Sequence, residues 1–223
     1  MGELQIWTLD GVPEGPRGFV RDLRLRWACE EAGLAYSVRT VAFEGRETNH
    51  LSRQPFGQVP FLSDGDVELF ESKAIATYLD RAFPAPFVLP SEPHLLALAE
   101  QWVSLVNTLI DRTVIRTYLF AYIAPGTPDG APNRAAIEAV MPALKQQVAV
   151  LDKAVAPTGY MVGDSFTLAD INLMPLLHRL KIPPEGAAAL AAAKHLSAYY
   201  ERHAQRPSFV RTEPPAGAPR RTS

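Results

Sequence analysis

Two dipeptides in the first half of the chain, Val59-Pro60 and Glu71-Ser72, combine groups that can hold a small peptide. A proline lacks the N–H that a central strand requires, so Pro60 predicts a cis bond and an unpaired, exposed backbone at Val59. Ser72 stands where a helical pattern begins and can cap that helix, whose free first-turn amides suit a carboxylate. A free strand edge beside such a helix start predicts a site for a small peptide.

The elements between these dipeptides are a predicted hairpin and a helix. Asp64-Gly65 separates two apolar runs, which is a strong hairpin signal. The second run ends at Phe70, and a helical pattern of apolar residues follows from Ser72 to Phe83. The dipeptides therefore flank a strand–turn–strand unit.

The preceding residues add the rest of an α/β domain over 1–84. The helix from Phe19 to Gly33 has two apolar sides, which predicts burial between two layers, and Gly33 is placed to terminate it. The order βαβ then ββα is typical of a thioredoxin-like arrangement with a mixed four-stranded sheet. The remaining predictions are strands at Leu4–Leu9 and Tyr36–Phe43 and an irregular segment or short helix at Glu44–Arg53.

Strand signals vanish after a proline-rich linker at 84–93. Helical patterns cover 95–122, 134–155 and 187–206, which predicts an all-helical domain over 94–211. A capping box is predicted at Thr167 and Asp170, with a structural role only. The proline-rich tail, 212–223, is predicted to be disordered or to lie on the surface as a coil.

The segment Gln58-Val59-Pro60 followed by Glu71-Ser72 resembles the glutathione-binding half of the glutathione transferases. Their architecture, a thioredoxin-like domain followed by an all-α domain, is similar to the one predicted here. The resemblance implies that the backbone of Val59 bonds the cysteinyl part of glutathione and that Glu71-Ser72 holds the γ-glutamyl end. It also implies that Gln58 and Arg46 reach the glycine end.

The residue that activates the thiol departs from the family pattern. Family members use a Tyr, Ser or Cys near the start of the first helix, and measured back from Arg24-Leu25-Arg26 that position is Phe19. The substitutes are the first-turn amides at 19–21 with the positive end of the helix dipole, a charge from Arg17 or Arg21, and a hydrogen bond from Thr8.

Of these substitutes, we favour Arg21 together with the helix start. The competing interpretation is that Arg21, Asp22 and Arg24 form a solvated helix face. Cys29 lies about two turns into the same helix and is predicted to be a buried structural thiol.

A second substrate is expected between the domains. The long helix after the linker carries arginines and tyrosines that can accept a flat acidic electrophile, namely Arg112, Arg116, Tyr118 and Tyr122. The alternative is an ordinary helix with surface arginines.

These features predict a glutathione S-transferase that conjugates the glutathione thiolate to an apolar or aromatic electrophile and, by the resemblance, forms a homodimer. Transferase, dehalogenase-like, peroxidase and isomerase activities all fit the fold. The alternative is a non-catalytic ligand-binding or assembly protein with the same fold, which the absence of the usual hydroxyl favours.

Composition excludes several other classes. A net charge of −2 gives no basic footprint for nucleic acid, and no apolar run reaches the roughly 20 residues that span a membrane. Cys29 is the single cysteine, so an internal disulfide is impossible and a cytoplasmic location is expected. The five histidines lack ligand spacing, so we expect no metal site.

Overall fold

A computed structural model describes residues 3–10, 21–42, 48–83, 88–124 and 126–212 of the 223-residue chain. Contacts divide the chain into two compact units. Residues up to Leu89 and the segment from Pro207 form the first unit, and Pro90–Arg206 forms the second.

The first unit includes a C-terminal helix that sequence analysis counted with the helical domain and the tail. Helix α10, Pro207–Thr212, returns to the first unit because Phe209 packs on Trp27, with ring centroids 4.8 Å apart, and Ser208 Oγ accepts from the Trp27 indole at 2.9 Å. Thr212, assigned to the disordered tail, instead ends this helix and is buried. The rest of the predicted tail, 213–223, lies outside the described residues.

The first unit is built on a mixed four-stranded sheet in the order β2-β1-β3-β4. Strands β1 and β2 are parallel, and β3 runs antiparallel to both β1 and β4. This topology confirms the predicted arrangement. The strands are β1, Gln5–Leu9; β2, Ser37–Val41; β3, Phe61–Asp64; and β4, Val67–Phe70.

Helices cover both faces of this sheet. Helices α1, Asp22–Ala32, and α3, Ser72–Ala82, pack on each other, and both contact the sheet. Helix α2, Thr48–Arg53, reaches Trp7 and Phe61, which are paired neighbours on one face. Because strand side chains alternate, Ile6 and Leu62 point to the other face, and both are fully buried.

Two glycines, one at the end of α1 and one in the hairpin turn, adopt the positive φ that glycine tolerates better than other residues. Gly33 has φ +66° and donates to the carbonyls of Cys29 and Glu30, confirming the predicted helix end. In the hairpin, the turn residues are Gly65, with φ +59°, and Asp66, because Asp64 still pairs with Val67 in the ladder. The predicted hairpin is therefore present, with its turn one residue later.

The second unit is helical throughout its regular elements. They are α4, Pro93–Leu105; π-helical segments Val106–Ile110 and Arg112–Leu119; α5, Phe120–Ile123; α6, Arg134–Val155; α7, Leu168–Leu180; α8, Pro184–Ala192; and α9, Lys194–Ala204. No helix among the described residues is long and apolar enough to cross a bilayer.

The stretch 106–119 differs from the regular helix that sequence analysis predicted, because its hydrogen bonding is π-helical. Its threonines direct their hydroxyls back to main-chain carbonyls, from Thr113 to Leu109 at 3.1 Å and from Thr117 to Arg112 at 3.0 Å. Such back-bonding distorts helices. Arg112 and Arg116, which are four residues apart in this stretch, are both exposed.

The predicted capping box at α7 is confirmed. Thr167 is the N-cap, its hydroxyl accepts from the Ala169 amide, and the Asp170 carboxylate accepts from the Thr167 amide at 2.8 Å. Asp170 is fully buried and also accepts from the Met161 amide and the Tyr199 hydroxyl. Burial raises the pKa of Asp170, while these hydrogen bonds oppose the shift.

Candidate functional site

The segment from Gln54 to Pro60 forms a braced loop that leads into β3. Gln54 is buried, and its Oε1 accepts from the backbone amides of Phe56 at 2.7 Å and Gln58 at 3.1 Å. The bond between Val59 and Pro60 is cis, as predicted. Strand pairing begins only at Phe61, so the backbone of Val59 lies beyond the end of the ladder. It can therefore bond a peptide ligand.

Helix α3 begins differently from the prediction. Glu71, not Ser72, occupies the N-cap position, and within the described residues no side-chain hydrogen bond caps the helix. Glu71 has φ 70° and ψ 111°, a conformation rare outside glycine. Such strain costs about 1–3 kcal/mol and clusters at ligand-binding positions. Ser72 follows as the first helical residue and is half-buried.

Strand register brings these two features together. Phe61 of β3 is directly paired with Phe70 of β4. Pro60 precedes this pair and Glu71 follows it, so the cis bond and the start of α3 lie at the same end of the hairpin. A peptide bonded to the Val59 backbone can thus place a carboxylate at the uncapped first turn of α3.

Comparison with known proteins agrees with this geometry. The family models "Glutathione S-transferase, N-terminal domain" and "Glutathione S-transferase, C-terminal domain" match residues 16–81 and 112–207. Glutathione S-transferase 4 of Zea mays is 30% identical over 184 residues, which cover 81% of this chain and 82% of the relative. The chain belongs to the glutathione S-transferase family.

Solved structures of glutathione S-transferases superpose over nearly the whole chain. The theta class enzyme from the citrus canker pathogen Xanthomonas axonopodis pv. citri, solved with glutathione bound, has a TM-score of 0.77 at 28% identity and covers 97% of this chain and 99% of its own. Glutathione S-transferase I from mais, in complex with an atrazine glutathione conjugate, has a TM-score of 0.80 at 26% identity and covers 95% and 96%. The predicted family and two-domain fold are confirmed.

The structure of this transferase describes the predicted thiol-activating helix start only from residue 21 onward, so Arg17 and Phe19 lie outside the described residues. Arg46, predicted for the glycine end of glutathione, lies outside them as well. Arg21 is half-buried at the N-cap position of α1, with φ −72° and ψ −5°. This places its backbone at the positive end of the helix dipole.

The interpretation of residues 21–24 as a solvated face is wrong for two of them. Asp22 and Arg24 are buried, at 6% and 3% exposure. Burial raises the pKa of Asp22, while an ion pair with Arg26 at 3.5 Å and a hydrogen bond with Thr8 oppose the shift. The Thr8 side chain is therefore bonded to Asp22. Charged side chains predict exposure, and no sequence signal marked these as buried.

The single cysteine of the transferase is structural, as predicted. Cys29 is fully buried in α1, and burial raises the pKa of its thiol to about 12. A thiol with that pKa is protonated at neutral pH and is a poor nucleophile.

The four residues predicted to contact the electrophile fall into two groups. Arg112 and Arg116 are exposed, and Arg116 pairs with Asp111 at 3.3 Å. Tyr118 is fully buried, whereas Tyr122 is half-buried. The structure therefore does not bring all four residues onto one exposed surface.

Both tyrosines bond to Glu185, a residue that sequence analysis missed. Tyr118 donates to Glu185 at 3.1 Å, and Tyr122 donates to the same carboxylate oxygen. Arg134 contacts the other oxygen at 2.5 Å. The hydrogen bond from Tyr122, followed by those from Arg134 and Tyr118, holds the pKa of Glu185 down to about 2, although burial opposes the shift. Glu185 is 67 residues from Tyr118, a distance at which no local pattern indicates pairing.

The described residues contain no group of three or more His, Cys, Asp or Glu side chains arranged to hold a metal ion. The peptide site described above is made of backbone groups and polar side chains.

Proposed function

We propose that this protein binds glutathione at the Val59-Pro60 loop and the start of α3 and conjugates its thiolate to an apolar or aromatic electrophile. The observation that carries the proposal is the pairing of Phe61 with Phe70, which holds the two peptide-binding elements side by side. The relatives named glutathione S-transferases support it, as does the mais enzyme with its atrazine glutathione conjugate.

Each of the three parts of glutathione has its own proposed contacts. The Val59 backbone bonds the cysteinyl residue, and Glu71 and Ser72 hold the γ-glutamyl end through its amine and carboxylate. Gln58 and Arg46 serve the glycine carboxylate. Gln58 is exposed, which suits a ligand contact.

The proposed activating group is the positive start of α1, with Arg21 as its charge and Phe19 at the position where family members carry a hydroxyl. A nearby cation lowers a thiol pKa from its usual value near 8.5, because it favours the thiolate. Replacing Arg21 with Ala is expected to raise the pKa of bound glutathione and slow turnover near neutral pH, whereas Arg21→Lys restores part of both. An unchanged thiol pKa in Arg21→Ala would remove Arg21 from the proposal.

For the electrophile we retain Arg112 and Arg116 as proposed contacts and assign Tyr118 and Tyr122 to the Glu185 network. The exposed guanidinium groups suit an electrophile that carries an acidic group. Formation of a homodimer, a cytoplasmic location and a role in detoxification are further parts of the proposal.

The deciding experiment is calorimetric titration of glutathione near pH 7 in two buffers of different ionisation enthalpy. Binding with proton release supports a transferase that deprotonates the thiol without the usual hydroxyl. Binding without proton release would favour a non-catalytic binder, and turnover of a generic aryl halide then separates a carrier from a site that the electrophile completes. Absence of binding would overturn the proposed function.

A further inference from the structure

We propose that His50 is a positioning residue for glutathione, and that it acts by aiming the backbone N–H of Val59. Its effect on catalysis rests on the proposed function, because that N–H is the proposed donor to the cysteinyl part of the tripeptide. The effect on the loop itself does not depend on glutathione.

The contacts of His50 hold both ends of the segment that contains the cis bond. Its Nε2 lies 2.9 Å from the carbonyl oxygen of Gln58, and its ring stacks on Phe61 with centroids 5.5 Å apart and planes 25° apart. Val59 and Pro60 lie between these two contact points. One buried side chain, at 4% exposure, thus fixes the segment on either side of the cis bond.

The direction of the hydrogen bond follows from its chemistry. A carbonyl oxygen only accepts, so Nε2 must carry the proton and donate to Gln58. The other ring nitrogen, Nδ1, is buried and has no hydrogen-bond partner among the described residues. An apolar ring would stack on Phe61 without burying an unpaired nitrogen. The feature that requires histidine here is therefore the bond to the Gln58 carbonyl.

This bond orients the amide that is proposed to meet glutathione. The carbonyl of Gln58 and the N–H of Val59 belong to one planar peptide group, and in a trans peptide they point in opposite directions. The peptide bond between Gln58 and Val59 is trans, because the cis bond among the described residues is the next one, between Val59 and Pro60. Holding the Gln58 carbonyl toward the buried His50 ring therefore turns the Val59 N–H away from it.

A second side chain, that of Gln54, also restrains the backbone of Gln58. The buried Gln54 side chain accepts from the Gln58 amide at 3.1 Å, so both peptide groups of Gln58 are held by side chains. Helix α2, which carries His50, is itself fixed to the sheet, because the Arg53 guanidinium lies 4.8 Å from the ring centroid of Trp7. Trp7 in turn stacks on Phe61, with centroids 5.2 Å apart.

The test compares three variants of the full chain. His50→Phe keeps the stacking ring and removes the donor, while His50→Gln retains a donor. The matched control, His178→Phe, removes another histidine whose ring is hydrogen-bonded, with 2.8 Å between its Nδ1 and the Tyr200 hydroxyl, in the second unit. We expect His50→Phe to raise the Kd and the KM for glutathione roughly fivefold to tenfold. The kcat at saturating glutathione should stay within about twofold, His50→Gln should recover part of the affinity, and the control should keep the wild-type value.

A second readout uses the protein without glutathione. The Gln58 amide is hydrogen-bonded in the wild type, so its hydrogen exchange, followed by NMR, reports on the order of the loop. His50→Phe is expected to accelerate exchange at Gln58, and His178→Phe is not.

The outcomes separate this inference from the proposed function. If the wild type fails to bind glutathione, the proposed function is overturned, while exchange at Gln58 still decides whether His50 positions the loop. An unchanged Kd and unchanged exchange in His50→Phe would overturn the role of His50, even in an active transferase. An equal loss of affinity in His178→Phe would also overturn it, because the loss would then reflect general destabilisation.

Discussion

The hydroxyl of Tyr118 donates to Glu185 at 3.1 Å and accepts from the amide of Gly186 at 2.8 Å. Tyr118 therefore joins the π-helical stretch of the second unit to the first turn of α8. Because the ring is fully buried, the hydroxyl links two packed elements. This arrangement explains why a tyrosine that sequence analysis placed at a substrate surface lies in the protein interior.

Replacing Tyr118 with Phe is expected to lower the free energy of unfolding by about 1–3 kcal/mol, because the Gly186 amide loses a buried acceptor. Tyr122→Phe, at a half-buried position, should cost less. Urea unfolding measures both. The KM for the electrophile should not change in Tyr118→Phe, and a large increase in a fully folded variant would instead support direct contact with the substrate.

A comparison within the capping box of α7 separates two roles. Thr167→Ala should cost about 1 kcal/mol, the usual value of an N-cap. Asp170→Ala should cost about 3 kcal/mol or more, because it leaves the amides of Met161 and Thr167 and the hydroxyl of Tyr199 without their buried acceptor. Thermal or urea unfolding checks the order. Equal costs for the two variants would show that the carboxylate contributes no more than the cap does.

Local signals explain which parts of the fold and site were predictable. The hairpin that Asp64-Gly65 predicted, the Gly33 helix end and the Thr167 capping box each depend on residues within a few positions of one another, and all three are present, the hairpin with its turn at Gly65-Asp66. The cis bond before Pro60 was likewise predicted from the proline itself. Features that depend on neighbouring residues in this way can be predicted from the sequence.

What the sequence did not predict depends on distant partners or on backbone detail. Asp22 is buried because of packing around α1, and Tyr118 turns inward to a carboxylate that is 67 residues away. Glu71 takes the N-cap position with positive φ, where the residue preferences favoured Ser72. In each case tertiary structure overrode a local preference. His50 was likewise treated only as a possible metal ligand, and its role as a brace requires the folded loop.

The titration of His178 predicts a specific pH dependence of stability. Burial, with the nearby charges of Arg179 and Lys181, lowers its pKa to about 4. An unfolded histidine titrates near 6.5, so below that pH the unfolded chain binds a proton that the folded protein does not. The contribution is fully present above about pH 6.5 and is lost as the pH falls through about 4. His178→Phe should therefore lose less stability than the wild type between these values, as measured by urea unfolding at several pH values. Parallel pH profiles for the two proteins would contradict the prediction.

The conformation of Glu71 predicts that replacing this residue with glycine stabilises the protein and weakens glutathione binding. Glycine adopts φ 70° without strain, so Glu71→Gly should relieve the backbone and raise the free energy of unfolding by about 1 kcal/mol, even after the entropy that glycine adds to the unfolded chain. The same variant removes the carboxylate proposed to pair with the glutathione amine, so the Kd for glutathione should rise about tenfold or more. Glu71→Ala is the matched control, because it removes the carboxylate and keeps the strain: it should bind as weakly as Glu71→Gly without the gain in stability. Wild-type affinity in Glu71→Ala would exclude the side chain from the site, and equal stabilities of the Gly and Ala variants would show that the positive φ carries no strain.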